Sequence, residues 1–145
     1  MSQMKSKVAL ITGASSGVGR ATAEAFAAKG AGVVLAARRE HELASLASEI
    51  EARGGKATAI RTDVSVASDV ERMAARAVET FGRLDCAVDN AGIEGLRASI
   101  SDLPEDEWDR VLGVNLKGTF LCCSDEASYI TGTTLTPHGG FTLTV

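Results

Sequence analysis

Residues 8–21 read VALITGASSGVGRA: an apolar run, three glycines within seven residues, then sequence that favours a helix. Residues 8–11 show no polar alternation and stop at Thr12-Gly13, as a strand buried on both faces does. Glycines at positions 13, 17 and 19 let the backbone turn sharply and come close to a ligand. The free N–H groups and positive dipole at the start of the following helix favour a pyrophosphate there. The spacing G-x-x-x-G-x-G is neither the G-x-G-x-x-G dinucleotide fingerprint nor a P-loop, which would need a Lys-Ser/Thr pair. A purely structural glycine turn is the competing reading, and the position between strand and helix weighs against it.

Working outward, helical sequence over 18–29 stops at Gly30, and 33–37 is a second buried strand. Leu43, Leu46, Ala47 and Ile50 form one stripe of a second helix, closed by Gly54-Gly55. A third strand is expected over 56–62. Ser68 with Glu71 offers a capping box for a helix striped by Val70, Met73, Ala74, Ala77, Val78 and Phe81. A fourth strand over 84–88 leads into Asp89-Asn90-Ala91-Gly92, and Pro104 with three following acids opens a helix expected to run to 123. Strands alternating with helices predict an α/β, Rossmann-type, doubly wound parallel sheet.

Ligands of such sheets sit beyond the carboxyl ends of the strands. The second strand ends in Ala36-Ala37-Arg38-Arg39, with no acid before Glu40. A carboxylate there would take the ribose hydroxyls of NAD; arginine pairs with the 2′-phosphate of NADP. Two arginines beside a helix start can also be simply solvated. Next to a loop of this kind the phosphate reading is favoured, making NADP the expected cofactor and NAD the lesser alternative.

Composition sets the outer limits. The 145 residues suit a single domain, 45% are hydrophobic and 23% charged, and net charge is −4 without a long basic run. That balance disfavours disorder and nucleic acid as a partner. No apolar run approaches membrane-spanning length, and the one behind "MSQMKSK" is too short for a secretory signal. Cys86, Cys122 and Cys123 lack CxxC spacing and are expected as reduced, packed thiols, so the cytoplasm is the expected compartment. No residue pattern calls for a metal.

The segments TGASSGVG (12–19), Asp63-Val64, DNAG (89–92) and NLKG (115–118), in this order and spacing, resemble the short-chain dehydrogenases/reductases. The resemblance runs from about residue 8 to 120. It implies that Gly13, Ser15, Ser16, Val18 and Gly19, with Gly17 in the same loop, line the pyrophosphate. It further implies that Arg38 and Arg39 select NADP, that Asp63 and Val64 contact adenine, and that Asn90, Ala91 and Gly92 lead towards the nicotinamide ribose. Asp89 stands where the family's pattern has asparagine, which puts one strand-end hydrogen bond in question.

The same resemblance sharpens what is missing. The family uses a serine, a Tyr-x-x-x-Lys pair and an asparagine, the lysine lowering the tyrosine's pKa. Here the single tyrosine, Tyr129, is followed four residues on by Thr133, and no Lys or Arg follows Lys117. Ser124 and Ser128 lie outside the expected context, and Tyr129 is expected to pack. Asn115 is the remnant of the catalytic set; at helical spacing from Trp108, Val111 and Leu112 it is expected on the apolar face, buried and hydrogen-bonded.

Residues 124–142 resemble the family's closing segment, with His138 in its terminal turn, so an internal deletion is expected beside 121–123. Residues 130–136 are expected as a last strand beside the fourth, giving the order 3-2-1-4-last. Uncovered faces lead to an expectation of association, either with another copy or with full-length relatives. The leading expectation is an NADP-binding unit with little or no hydride transfer; the alternatives are an enzyme with substitute acid/base groups and a non-enzymatic subunit.

Overall fold

The structure, a computed structural model, describes residues 4–123. The expected last strand, Tyr129 and His138 lie outside the described residues. The described chain forms a four-stranded parallel sheet in the order β3-β2-β1-β4. Its strands are β1 (Val8–Thr12), β2 (Gly32–Ala37), β3 (Lys56–Arg61) and β4 (Cys86–Val88). The helices are α1 (Gly17–Ala28), α2 (Glu40–Ala52), α3 (Ala67–Phe81), α4 (Glu105–Leu112) and α5 (Gly118–Cys123).

Every residue of β1 and β2 is buried, which their unbroken apolar sequence requires. Successive side chains alternate between the sheet's faces. Ala9, Ile11, Val33 and Leu35 pack with Leu43 and Leu46 of α2 and Ala23 of α1. Val8, Leu10, Val34 and Ala36 pack on the other face with Met73 of α3 and Leu121 of α5. Burial of a side chain such as Leu10 or Leu46, both fully enclosed, stabilises by roughly 1.5–3 kcal/mol. Gly30, φ +87°, turns the chain out of α1, and Gly82, φ +75°, closes α3.

Two local expectations are corrected. Helix α3 starts at Ala67, so Ser68 is already inside it and caps nothing. Instead Asp69, in the first turn, reaches back to accept the Asp63 N–H at 2.9 Å. The helix expected from 104 to 123 is interrupted by a π turn over Gly113–Lys117. A π turn widens the winding, so the 3.6-residue periodicity that placed Asn115 in line with Trp108 and Leu112 does not carry through it. Asn115 is exposed rather than buried.

Candidate functional site

All four strands run the same way, so their carboxyl ends meet at one rim, and a cleft of about 340 Å³ opens there. Gly13, Ser15 and Ser16 form one wall, Ala36 to Arg39 and Thr62 to Val64 another, and Asn90 to Ile93 with Val114 a third. A larger hollow of about 610 Å³ lies at the opposite rim, lined by Lys5, Arg53 and Lys56 among others. The carboxyl ends of α1 and α2 flank that hollow, and helix polarity there opposes an anion. The first cleft instead has the amino end of α1 beside it.

The glycine loop is built for close approach. Gly13 has φ +66°, and a Cβ on it would lie 2.8 Å from Asn90 Nδ2. A Cβ on Gly19 would strike the Gly13 carbonyl oxygen and lie 2.5 Å from Asn90 Nδ2. The loop is tied to β2 by Ala14 N–H donating to the Ala36 carbonyl at 3.2 Å. Ser16 occupies the N-cap position of α1 without making a side-chain cap, and the first turn carries no acid, unlike α2, α3 and α4. The positive end of α1 is therefore left uncompensated, which is where phosphate binds best. Gly17 and Gly19 belong to α1 and Val18 is exposed; none of the three lines the cleft.

At the end of β2 the two arginines differ. Among the described residues Arg38 has no hydrogen-bond or ion-pair partner, while Arg39 bonds the hydroxyls of Ser15 and Ser16. Beyond β3, Asp63 accepts from Ser65 N–H at 3.0 Å and from the Ser65 hydroxyl at 2.6 Å. The bond from Asp63 N–H, and then the Arg72 guanidinium, hold the Asp69 carboxyl below its usual range. Val64 is buried and receives α5: a Cβ on Gly118 would lie 2.8 Å from Val64 Cγ2.

The third wall hangs on Thr12. Its hydroxyl donates to Asp89 Oδ1 and accepts from the Asn90 and Ala91 N–H groups, each at 3.0 Å. Asn90 Nδ2 in turn donates to the Thr12 carbonyl at 3.1 Å. Among the described residues Asp89 Oδ2 is buried without a partner, the cost of a carboxylate at that strand end. Asn115 finds the partners its amide needs: Oδ1 accepts from Ile93 N–H and Nδ2 donates to the Ile93 carbonyl, both at 2.9 Å.

Sequence reading missed Thr12, Thr62, Ile93 and Val114. Thr12 left a signal, a lone hydroxyl ending an apolar strand before glycine; Ile93 and Val114 left none. Cys122 is buried, which, with the Asp89 charge nearby, pushes its thiol up to about 12. Cys86 is half-buried and Cys123 is exposed, so only Cys122 packs fully as expected. Among the described residues no cluster of His, Cys, Asp or Glu is placed to hold a metal, and no helix is long and apolar enough to cross a membrane.

A glycine cradle, an uncompensated helix start and a guanidinium without a partner among the described residues surround one cleft at the carboxyl rim of a parallel α/β sheet. Residues 7–134 match the family described as short chain dehydrogenase. The chain belongs to that family. It is 38% identical over 140 residues to a 3beta-hydroxysteroid dehydrogenase of Mediterraneibacter gnavus, covering 97% of this chain and 49% of that protein. A 3-ketoacyl-ACP reductase structure from Sinorhizobium meliloti superposes with a TM-score of 0.81 at 47% identity, covering 84% of this chain and 48% of that one. A Burkholderia phymatum short chain dehydrogenase/reductase in complex with NAD gives 0.84 at 36% identity, over 90% and 46%. The chain thus spans about half the length of the relatives it matches.

Proposed function

We propose that this chain is a nicotinamide-dinucleotide-binding unit of the short-chain dehydrogenase/reductase type that prefers NADP(H) and transfers little or no hydride by itself. The observation that carries the preference is Arg38, a guanidinium without a partner at the end of β2, on a cleft whose β2 edge offers no carboxylate. The backbone of residues 13–19 and the start of α1 would hold the pyrophosphate. Asp63 and Val64 would border the adenine, and Asn90 to Gly92 would lead to the nicotinamide side.

The dinucleotide supplies or accepts a hydride when bound; the accompanying proton needs an acid or base of suitable pKa at the carbonyl oxygen. Tyr129 is the chain's one tyrosine, and it lacks the lysine that would bring its pKa towards neutrality. Asn115 already spends both ends of its amide on Ile93. Support for weak turnover is therefore chemical: among the described residues no tyrosine or lysine lines the cleft.

Calorimetric titration with NADPH and NADH tests the first half. NADPH binding at least about tenfold tighter than NADH is expected, from one charge-assisted bidentate pair. Indifference to both coenzymes refutes it. Reduction of a carbonyl panel by homogeneous protein, at rates typical of enzymes, refutes the second half.

A second reading, association with another copy or with full-length relatives, is favoured by the exposed apolar side chains of the α4–α5 segment. Trp108, Leu116 and Phe120 are 47%, 64% and 67% exposed. Sedimentation at rising concentration, alone and mixed with a full-length relative, distinguishes it from a monomer.

A further inference from the structure

The hollow of about 610 Å³ at the amino rim of the sheet carries side chains that reverse the sign its helix ends set. Lys5, Lys7, Arg53, Lys56 and Arg83 line it, a third of the chain's 15 lysines and arginines, and no Asp or Glu does. Asp85, shared by Lys7 and Arg83, offsets one charge, so four formal positive charges remain. The carboxyl ends of α1, α2 and α3 together set only about one and a half negative charges against them. Lys5, Arg53 and Lys56 make no side-chain hydrogen bond or ion pair among the described residues. Glu49, whose charge Arg53 feels, is already paired with Arg20. The floor is apolar, with Val8, Ala27 and Ala31 beside the Phe81 ring. Gly32 leaves that ring its place, since a Cβ there would lie 3.1 Å from Phe81 Cδ1. One turn brings Lys5 and Lys7 to the rim, closed by the Lys7 N–H on the Met4 carbonyl at 3.1 Å. Ser6 between them has φ +68°, alone among the described non-glycine residues in the left-handed region. That conformation costs about 1 kcal/mol or more, and such strain persists where the surroundings require it.

We propose that this hollow binds a polyphosphorylated small molecule, at a site separate from the dinucleotide cleft on the opposite rim. Cations gathered without counter-charges repel one another, and an anion among them relieves that repulsion while making charge-assisted bonds of its own. The backbone N–H groups of Gly30, Ala31, Gly32, Gly54 and Gly55 all donate to carbonyls, so recognition falls to the side chains. Side-chain cations spread around a rim select for charge number and reach. A single carboxylate or orthophosphate meets few of them, whereas a chain of phosphates spans several. The volume suits a small molecule, and the apolar floor offers a base or other flat body contact with Phe81. The site does not depend on the dinucleotide reading.

The test titrates the whole chain, labelled with nitrogen-15, with tripolyphosphate, metal-free ATP and orthophosphate at one fixed ionic strength. The amide signals of Gly30, Gly54 and Gly55 should shift and saturate with tripolyphosphate and ATP, at concentrations at least about tenfold below those orthophosphate needs. Tighter binding of ATP than of tripolyphosphate would show that the floor takes the base; equal binding would show that the phosphates alone are recognised. By calorimetry, Arg53→Ser with Lys56→Ser should weaken tripolyphosphate about tenfold or more, the worth of lost charge-assisted bonds. Both side chains are exposed and unbonded, so folding is not expected to depend on them, and Lys5→Ser gives an independent second variant. Arg38→Ala, on the other rim, should leave the shifts at Gly30, Gly54 and Gly55 unchanged. If the signals that move are instead those of Gly13, Ser15 and Ser16, polyphosphate uses the carboxyl rim and the proposal is wrong. It is equally wrong if the double substitution leaves the affinity unchanged, or if orthophosphate binds as tightly as tripolyphosphate. If polyphosphate binds at the amino rim while NADPH and NADH bind nowhere, this site stands and the dinucleotide reading falls.

Discussion

The two sides of the cleft are built differently. On the β1–β2 side all eleven strand residues are buried, and helices cover both faces. On the β4 side the strand is three residues long, each half-buried, and the helical segment beyond it leaves Leu116 and Phe120 exposed. The first side completes its own packing and carries the groups suited to phosphate. The second side leaves its edge strand without an outer neighbour among the described residues. On the proposed reading, cofactor binding needs only the first side, whose strands are fully buried.

The sharpest way to break this comparison is Gly19→Ala. The new methyl has no room, since the Gly13 carbonyl oxygen and Asn90 Nδ2 occupy its place and the nearer of the two is backbone. We expect dinucleotide binding to become undetectable by calorimetry and stability to fall by about 3 kcal/mol in denaturant unfolding. Unchanged binding would mean that the loop tolerates expansion, and the finished side would not be finished.

Much of that side was legible in the sequence. The unbroken apolar runs of β1 and β2, the glycine spacing and the arginines at 38 and 39 are local features, and each maps onto position without help from the rest of the fold. Asn90 to Gly92 were legible for the same reason. What escaped depended on contacts between distant segments. Thr12 matters because four groups 76 to 79 residues away converge on its hydroxyl. The π turn over Gly113–Lys117 changes the winding in a way that helical periodicity cannot register, and Asn115 lies exposed rather than buried. The capping box failed likewise, because α3 already starts at Ala67, which places Ser68 inside the helix.

A smaller effect tests the seam between the two sides. Asp85, just before β4, pairs with Lys7 at 3.0 Å, with Arg83, and accepts the Val8 N–H at 2.8 Å, so it fastens β4 to the start of β1. The Arg83 hydrogen bonds, then those of Val8 and Lys7, hold its carboxyl well below the usual carboxylate range despite burial. A carboxyl depressed in the folded state stabilises above its unfolded value, near 4, and loses that contribution as pH falls towards the folded value. Asp85→Asn should therefore cost about 2 kcal/mol at pH 7. The gap between variant and parent should shrink as pH drops below about 4, which urea melts across that range would show. A gap that does not change with pH would mean the charge is idle and the seam is held by packing alone.

The smallest effect should come from the exposed face, where Leu116→Ser and Phe120→Ser together remove two large apolar side chains. Each is about two-thirds exposed, so neither contributes much to the chain's own core, and the unfolding free energy should shift by no more than about 0.5 kcal/mol. Any self-association seen by sedimentation should weaken at the same time, because an exposed apolar patch gains only by being covered. The two readouts separate the alternatives. Lost stability with unchanged association would make this face part of the chain's own fold, covered by its own residues, and the contrast between the two sides of the cleft would disappear. Unchanged stability with weaker association would leave the contrast standing and show that what covers the β4 side comes from a second molecule.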